Sequence, residues 1–227
     1  MSRPYRNNRG LPADPVAGFT LIELAVSIGI ASIILGVVMW NQSTYNDRAS
    51  VTNLADEIAS MVSQVQVYGI GVKEFSSSGT SNFSTAYGIH FRTVGLQGSN
   101  KAYIYFADRN GDKIYNSSLG CPTGVGIQYE CLSKTDFTIT GNLITAICTV
   151  VAPNIVDCAT TANGGKGGVD ISFARPSIEA QIILFDSTGA IINSPPPGLI
   201  GVKIELTSTK GAVRYVTVYK TGQVSVQ

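Results

Sequence analysis

Phe19 to Trp40 reads FTLIELAVSIGIASIILGVVMW, and its reading decides the fold. The run is 22 residues long and carries a single ionisable group, Glu23. As a helix it rises about 33 Å, enough to cross a hydrocarbon core of about 30 Å. Trp40 and Tyr45 stand at and just past its end, where amphipathic rings favour a membrane interface. A cleaved secretory signal would need a shorter apolar stretch with small residues at its exit, which Val37-Val38-Met39-Trp40 does not supply. A buried core helix is disfavoured because the apolar surface runs all the way round. A plain signal anchor fits the length but leaves the acid at the fifth position unexplained. A charge inside lipid costs about 2.5–3.5 kcal/mol on insertion scales, so it usually marks function.

Upstream, residues 1–18 read MSRPYRNNRGLPADPVAG, with Arg3, Arg6 and Arg9 against one acid, Asp14. Pro4, Pro12 and Pro15 discourage a helix there. The arginines keep the N-terminus cytoplasmic, which puts everything after Trp40 outside.

The string Gly18-Phe19-Thr20-Leu21-Ile22-Glu23-Leu24 resembles the prepilin signature, and with it the type IV pilin and pseudopilin superfamily. The resemblance implies cleavage after Gly18 by a membrane prepilin peptidase, removing a leader of residues 1–18. Phe19 would become an N-methylated terminus, and Glu23 would pair with the amino group of a neighbouring subunit during assembly. Two buried charges are tolerable as a pair and costly alone, which gives the acid its physical reason. The partners implied are other pilin or pseudopilin subunits, the peptidase, an inner-membrane assembly platform and the membrane itself. The family is structural, so no enzyme is expected. The runner-up is a signal-anchored extracellular binding module that never polymerises.

Downstream, Val51, Leu54, Ala55, Ile58, Met61, Val62 and Val65 trace a helical apolar stripe, and no proline interrupts the chain between Pro15 and Pro122. Gly69 and Gly71 read as the stop. One long helix over 19–69 follows, with 19–40 spanning the membrane; the alternative is two helices broken near Asn41-Gln42-Ser43. From residue 70 the pattern turns to period two and short apolar runs. The runs are Ala86–Val94, Lys101–Ala107, Phe137–Ile139, Leu143–Val151, Val169–Ala174, Ala180–Phe185, Val202–Thr207, Val213–Tyr219 and Gln223–Val226. Ser76 to Ser81 and Asn163 to Gly168 read as loops, and Pro195-Pro196-Pro197-Gly198 as a stiff linker. No βαβ rhythm appears, so the fold class is α+β: a long N-terminal helix packed on an antiparallel β-rich head over 70–227. Val169 to Pro176 and the closing Thr221-Gly222-Gln223 turn resemble the GspH/FimT-like minor pseudopilins.

Composition agrees. Charged residues are 14% of 227, against roughly 25% in an average soluble domain. The formal net charge of +1 excludes a globally basic nucleic-acid binder, so DNA is not an expected partner. Lys210, Arg214 and Lys220 then read as a solvated face. The single histidine, His90, excludes chemistry that needs several and reads as a strand residue. Gly29 and Gly36, with Ala25, Ala31 and Ser32, suit close helix packing.

Cys121, Cys131, Cys148 and Cys158 form no CxxC pair, which argues against a zinc ribbon. An even count outside the cytoplasm favours disulfides, with three connectivities open. Cys121–Cys131 with Cys148–Cys158 is favoured, because each would clamp a local loop. Asp108-Arg109-Asn110-Gly111-Asp112 sets oxygens at alternate positions and partly resembles a calcium loop in Asp108, Asn110 and Asp112. Its glycine comes two positions early, and Leu119 stands where a bidentate Glu belongs. A hairpin turn between Tyr103–Ala107 and Lys113–Tyr115 fits Asn110-Gly111 better, so no cofactor is expected, with calcium at Asp108, Asn110 and Asp112 as the alternative.

Overall fold

The computed structural model describes residues 18–71, 75–77, 80–82, 85–93, 99–116, 121, 129–158 and 166–227. Residues 1–17, most of the expected leader, lie outside the described residues. Helix α1 runs unbroken from Leu21 to Ile70. Twelve strands follow among the described residues: β1 (Phe75–Ser77), β2 (Thr80–Asn82), β3 (Ala86–Arg92), β4 (Ala102–Asp108), β5 (Cys131–Asp136), β6 (Leu143–Val151), β7 (Ile155–Asp157), β8 (Lys166–Phe173), β9 (Gln181–Asp186), β10 (Leu199–Thr207), β11 (Val213–Tyr219) and β12 (Val224–Val226). The chain divides into two compact units at Ser43 and Thr44.

The first unit holds the apolar run. Its large side chains, from Phe19 through Trp40, are exposed, and its helix is long and apolar enough to cross a membrane. A surface of that kind in water would be costly, so a lipid or protein environment must cover it.

The second unit is built of two five-stranded antiparallel sheets, ordered β12-β11-β10-β6-β7 and β5-β4-β3-β8-β9, with a separate β1–β2 hairpin. The helical stripe enters their core. Val51, Leu54, Ala55, Ile58, Val62 and Val65 are buried, and Met61 packs against them. Tyr87, Ile89 and Phe91 of β3, Ile171 and Phe173 of β8, and Ile204 and Val216 from the other sheet complete one cluster. Each fully buried aliphatic or aromatic side chain of this kind contributes about 1.5–3 kcal/mol. The fold is α+β with one long N-terminal apolar helix.

Several local expectations are corrected. Phe137–Ile139 is not a strand; it starts the turn after β5, whose sequence, CLSKTD, is mostly exposed and shows no apolar pattern. Residues Ser76–Ser81 fall largely within the β1–β2 pair, with Ser78 and Gly79 outside the described residues. Lys166, Gly167 and Gly168 belong to β8, and residues 163–165 lie outside the description. A Cβ at Gly167 would meet the Asp186 carbonyl oxygen at 2.2 Å, so this strand needs glycine to pass its neighbour. The helix stops between the two expected glycines: Gly71 follows its last residue, Ile70, and Gly69 is the penultimate helical residue. A Cβ there would lie 2.3 Å from the Phe173 carbonyl oxygen, so its smallness admits β8.

The hairpin at Asn110-Gly111 does not form. The Asp108 carboxylate accepts the N–H groups of Gly111 (2.7 Å) and Lys113 (2.8 Å) and draws the chain into a bend. Gly111 and Lys113 take positive φ, and the free edge of β4 pairs with β5 instead.

Candidate functional site

The first region is the start of helix α1. Thr20 caps the helix: its Oγ1 accepts the Glu23 N–H at 3.3 Å, and its carbonyl accepts the Leu24 N–H at 3.1 Å. Thr20-Leu21-Ile22-Glu23 thus has the spacing of a capping box, with the acid in the first turn where the helix dipole favours negative charge. Gly18 and Phe19 lie outside the helix and are exposed. A Cβ at Gly18 would meet no atom within 4 Å, so nothing in this chain's own fold demands glycine there. Among the side chains of Phe19 to Trp40, Glu23 supplies the one carboxylate. Ser27 and Ser32 return their hydroxyls to the carbonyls of Glu23 and Ile28, at 2.7 and 2.8 Å. These bonds neutralise the polarity of both serines within the apolar run.

The second region is the acidic loop after β4. Ligand atoms of Asp108, Asp112 and Glu130 lie within 4.8 Å of one another. Asn110 sits beside them but is spent on the loop: its Nδ2 donates to Asp112 Oδ2 (2.9 Å) and its Oδ1 accepts the Asp112 N–H (3.0 Å). Glu130 is 0% exposed, and its two oxygens accept the N–H groups of Arg109 (3.2 Å) and Asn116 (2.9 Å). Burial pushes its carboxyl up to about 7, opposed by those two N–H groups and reinforced by Asp108 and Asp112. Burial likewise raises Asp108. The oxygen-only set is of the kind hard cations take, and it equally suits a shared proton. Glu130 could not be found from local spacing, because it stands 21 residues beyond Arg109 and reaches the loop only through the fold.

The four cysteines form two disulfides, Cys121–Cys131 and Cys148–Cys158. The first ties the excursion after β4 to the start of β5. The second ties buried Cys148 of β6 to the end of the short edge strand β7. His90 is buried on β3, but its setting is richer than a lone strand residue implies: Asp170 and Arg92 flank it.

The family described as "Prokaryotic N-terminal methylation motif" matches residues 15–39. Two proteins of Pseudomonas aeruginosa, each named "Fimbrial protein", are 30% identical over 113 residues, covering 49% of this chain and 73% of the relative. The chain belongs to the type IV pilin superfamily. No solved structure matches it. As a pilin it is a structural protein with an apolar N-terminal helix fit for membrane anchorage. The matched motif contains Gly18, Phe19, Thr20 and Glu23: in this pilin the first two precede the helix, Thr20 caps it and Glu23 lies in its first turn.

Proposed function

We propose that this pilin is a minor pilin or pseudopilin, of the GspH/FimT-like kind, serving as a structural subunit of a type IV pilus or a type II secretion pseudopilus. Its precursor inserts with the arginine-bearing leader in the cytoplasm and the disulfide-bonded head outside. A prepilin peptidase cuts after Gly18, Phe19 is N-methylated, and the inner-membrane platform assembles the subunit through its apolar helix. The observation that carries this reading is the placement of Glu23, the single ionisable side chain of the exposed apolar run Phe19 to Trp40, at the third helical position after the Gly18–Phe19 bond. Cleavage would put a new ammonium one residue before the Thr20 cap, at the positive end of the helix dipole. A carboxylate from a neighbouring subunit offsets both, and the pair fixes axial register once lipid is gone.

Mass spectrometry of the chain recovered from cells that carry the peptidase and the assembly machinery tests the reading. A methylated Phe19 terminus in the filament fraction is expected. A chain that keeps Met1 and stays in the membrane overturns it in favour of an anchored binding module.

A further inference from the structure

A groove of about 400 Å³ runs along the second unit between α1 and the turn after β5. Ser50, Asn53 and Glu57 line its helical wall; Asp136, Ile139 and Asn142 line the other. Ile139 is 99% exposed at the rim, an unusual place for a large apolar side chain in a tight turn. Asn142 is 1% exposed, donates its Nδ2 to Ser50 Oγ at 3.0 Å, and leaves its Oδ1 without a donor among the described residues. A buried amide oxygen without a donor costs stability until something supplies one. Two carboxylates, Glu57 and Asp136, stand on the same groove; Tyr103 donates to the first and Lys134 lies 3.6 Å from the second. The groove therefore calls for a cationic side chain with several N–H donors, which is the description of a guanidinium.

The opposite flank of the helix carries one. At about 100° per residue, Ser50, Asn53 and Glu57 share one side of α1, and Arg48 and Thr52 the other, roughly 150° away. Arg48 is exposed, and its guanidinium meets no carboxylate among the described residues. Arg214 Nε bonds Thr52 Oγ1 at 3.1 Å beside it, so this flank is basic where the groove is acidic. We propose that Arg48 of one copy of this chain docks in the Asn142–Asp136–Glu57 groove of a second copy. Such a contact is heterologous: one copy offers a cation on one flank and its neighbour a socket on the other. The proposal rests on the assembly reading above and adds to it a head contact between like subunits.

The test uses the full chain in cells supplying the peptidase and assembly machinery, with two differently tagged copies, one Arg48→Cys and the other Asp136→Cys. No described cysteine is free in the parent chain, so the introduced thiols pair with one another, and the two tags tell a mixed dimer from a dimer of like variants. A disulfide-linked dimer bearing both tags is expected in the filament fraction, and none when Lys220→Cys replaces Arg48→Cys. Arg48→Glu is expected to lower filament incorporation by about fivefold to tenfold, and adding Asp136→Arg to restore it to within about twofold. Asp136 also holds the Thr138 turn, so the cysteine arm keeps the test decisive if the arginine variant is poorly folded. Chains that carry the Phe19 terminus and enter filaments without a mixed-tag dimer overturn the contact and leave the assembly reading standing. A loss in Arg48→Glu that Asp136→Arg does not restore assigns Arg48 to a different filament protein and also overturns it. Chains that never enter filaments overturn both.

Discussion

His90 Nδ1 donates to Asp170 Oδ1 across 2.5 Å, with the two side chains 2% and 0% exposed. Arg92 Nε donates to the other ring nitrogen at 3.3 Å, which places the imidazole proton on Nδ1. The ring thus links a buried cation to a buried anion, while Arg92 also lies 4.4 Å from the Phe185 ring centroid. Asp170 Oδ2 accepts the Tyr115 N–H at 2.7 Å, so the same carboxylate holds the excursion after β4 against the sheet. Asp170→Asn keeps the volume and removes the larger of the two carboxylate charges acting on Arg92, the other being Asp186. It should destabilise the head by about 3 kcal/mol, since a buried pair broken on one side leaves an uncompensated charge. Urea unfolding of the detergent-solubilised chain checks this; a change under about 1 kcal/mol would show that Arg92 is balanced elsewhere.

Tyr103 and Tyr105 sit two residues apart on β4 with opposite polar fates. Tyr103 donates to Glu57 Oε1 at 2.7 Å, whereas the Tyr105 hydroxyl is buried without a partner among the described residues. Burial pushes both phenols above their ordinary range. A raised acid contributes stability that is complete below the unfolded pKa of about 10 and is lost as pH climbs through the folded value. Alkaline unfolding should therefore set in from about pH 10, later in either Tyr→Phe variant. At neutral pH the two diverge. Tyr105→Phe leaves the melting temperature equal or higher, and Tyr103→Phe costs about 1–2 kcal/mol by removing a hydrogen bond to a charged group. Circular dichroism melts from pH 7 to 11 separate the two effects.

Asp47 ties the helix to the turn between β10 and β11. It accepts from Ser208 Oγ, from Thr209 Oγ1 at 2.8 Å and from the Lys210 N–H at 3.2 Å. The Ser208 bond, chiefly, holds its carboxyl below the usual range. A depressed acid contributes stability present above the unfolded pKa and lost as pH falls through the folded one. The wild-type chain should lose stability on acidification below about pH 4, and Asp47→Ala should melt lower at pH 7 and show a flatter acid limb. Equal slopes in the two acid titrations would refute the assignment.

The stripe from Val51 to Val65 is legible because a helix repeats its face every 3.6 residues, and this face is buried along its whole length. The long central strands are legible for the same kind of reason. What escapes is decided by neighbours distant in sequence. Edge strand β5 has nothing to bury on most of its length and so no pattern to read. Gly167 and Gly168 look like loop residues, yet a Cβ at Gly168 would lie 2.6 Å from Arg92 Cδ, so the glycines are strand residues shaped by a packed side chain. Asn110-Gly111 carries a local hairpin signal that the Asp108 carboxylate overrides. In the acidic loop, two of the three clustered carboxylates are close in sequence and the third, Glu130, arrives through tertiary structure.

Substitutions at Gly18 and Glu23 test the proposed processing and assembly apart from folding. Because a Cβ at Gly18 would touch nothing within 4 Å, Gly18→Val should leave the head's stability unchanged while the precursor stays uncut. Glu23→Ala keeps the Thr20 cap, whose oxygens accept from backbone N–H groups, so the helix start and membrane insertion survive. Insertion should even improve, since one charge costing about 2.5–3.5 kcal/mol within lipid is gone. Incorporation into filaments should nevertheless fall sharply, because the ammonium of the neighbouring subunit loses its counter-charge. Immunoblots of membrane and sheared-filament fractions, with mass spectrometry of the N-terminus, read all three steps. Glu23→Ala chains that are cut and load filaments at the wild-type level would remove the carboxylate from assembly, and Gly18→Val chains with a free Phe19 terminus would remove glycine from the cut.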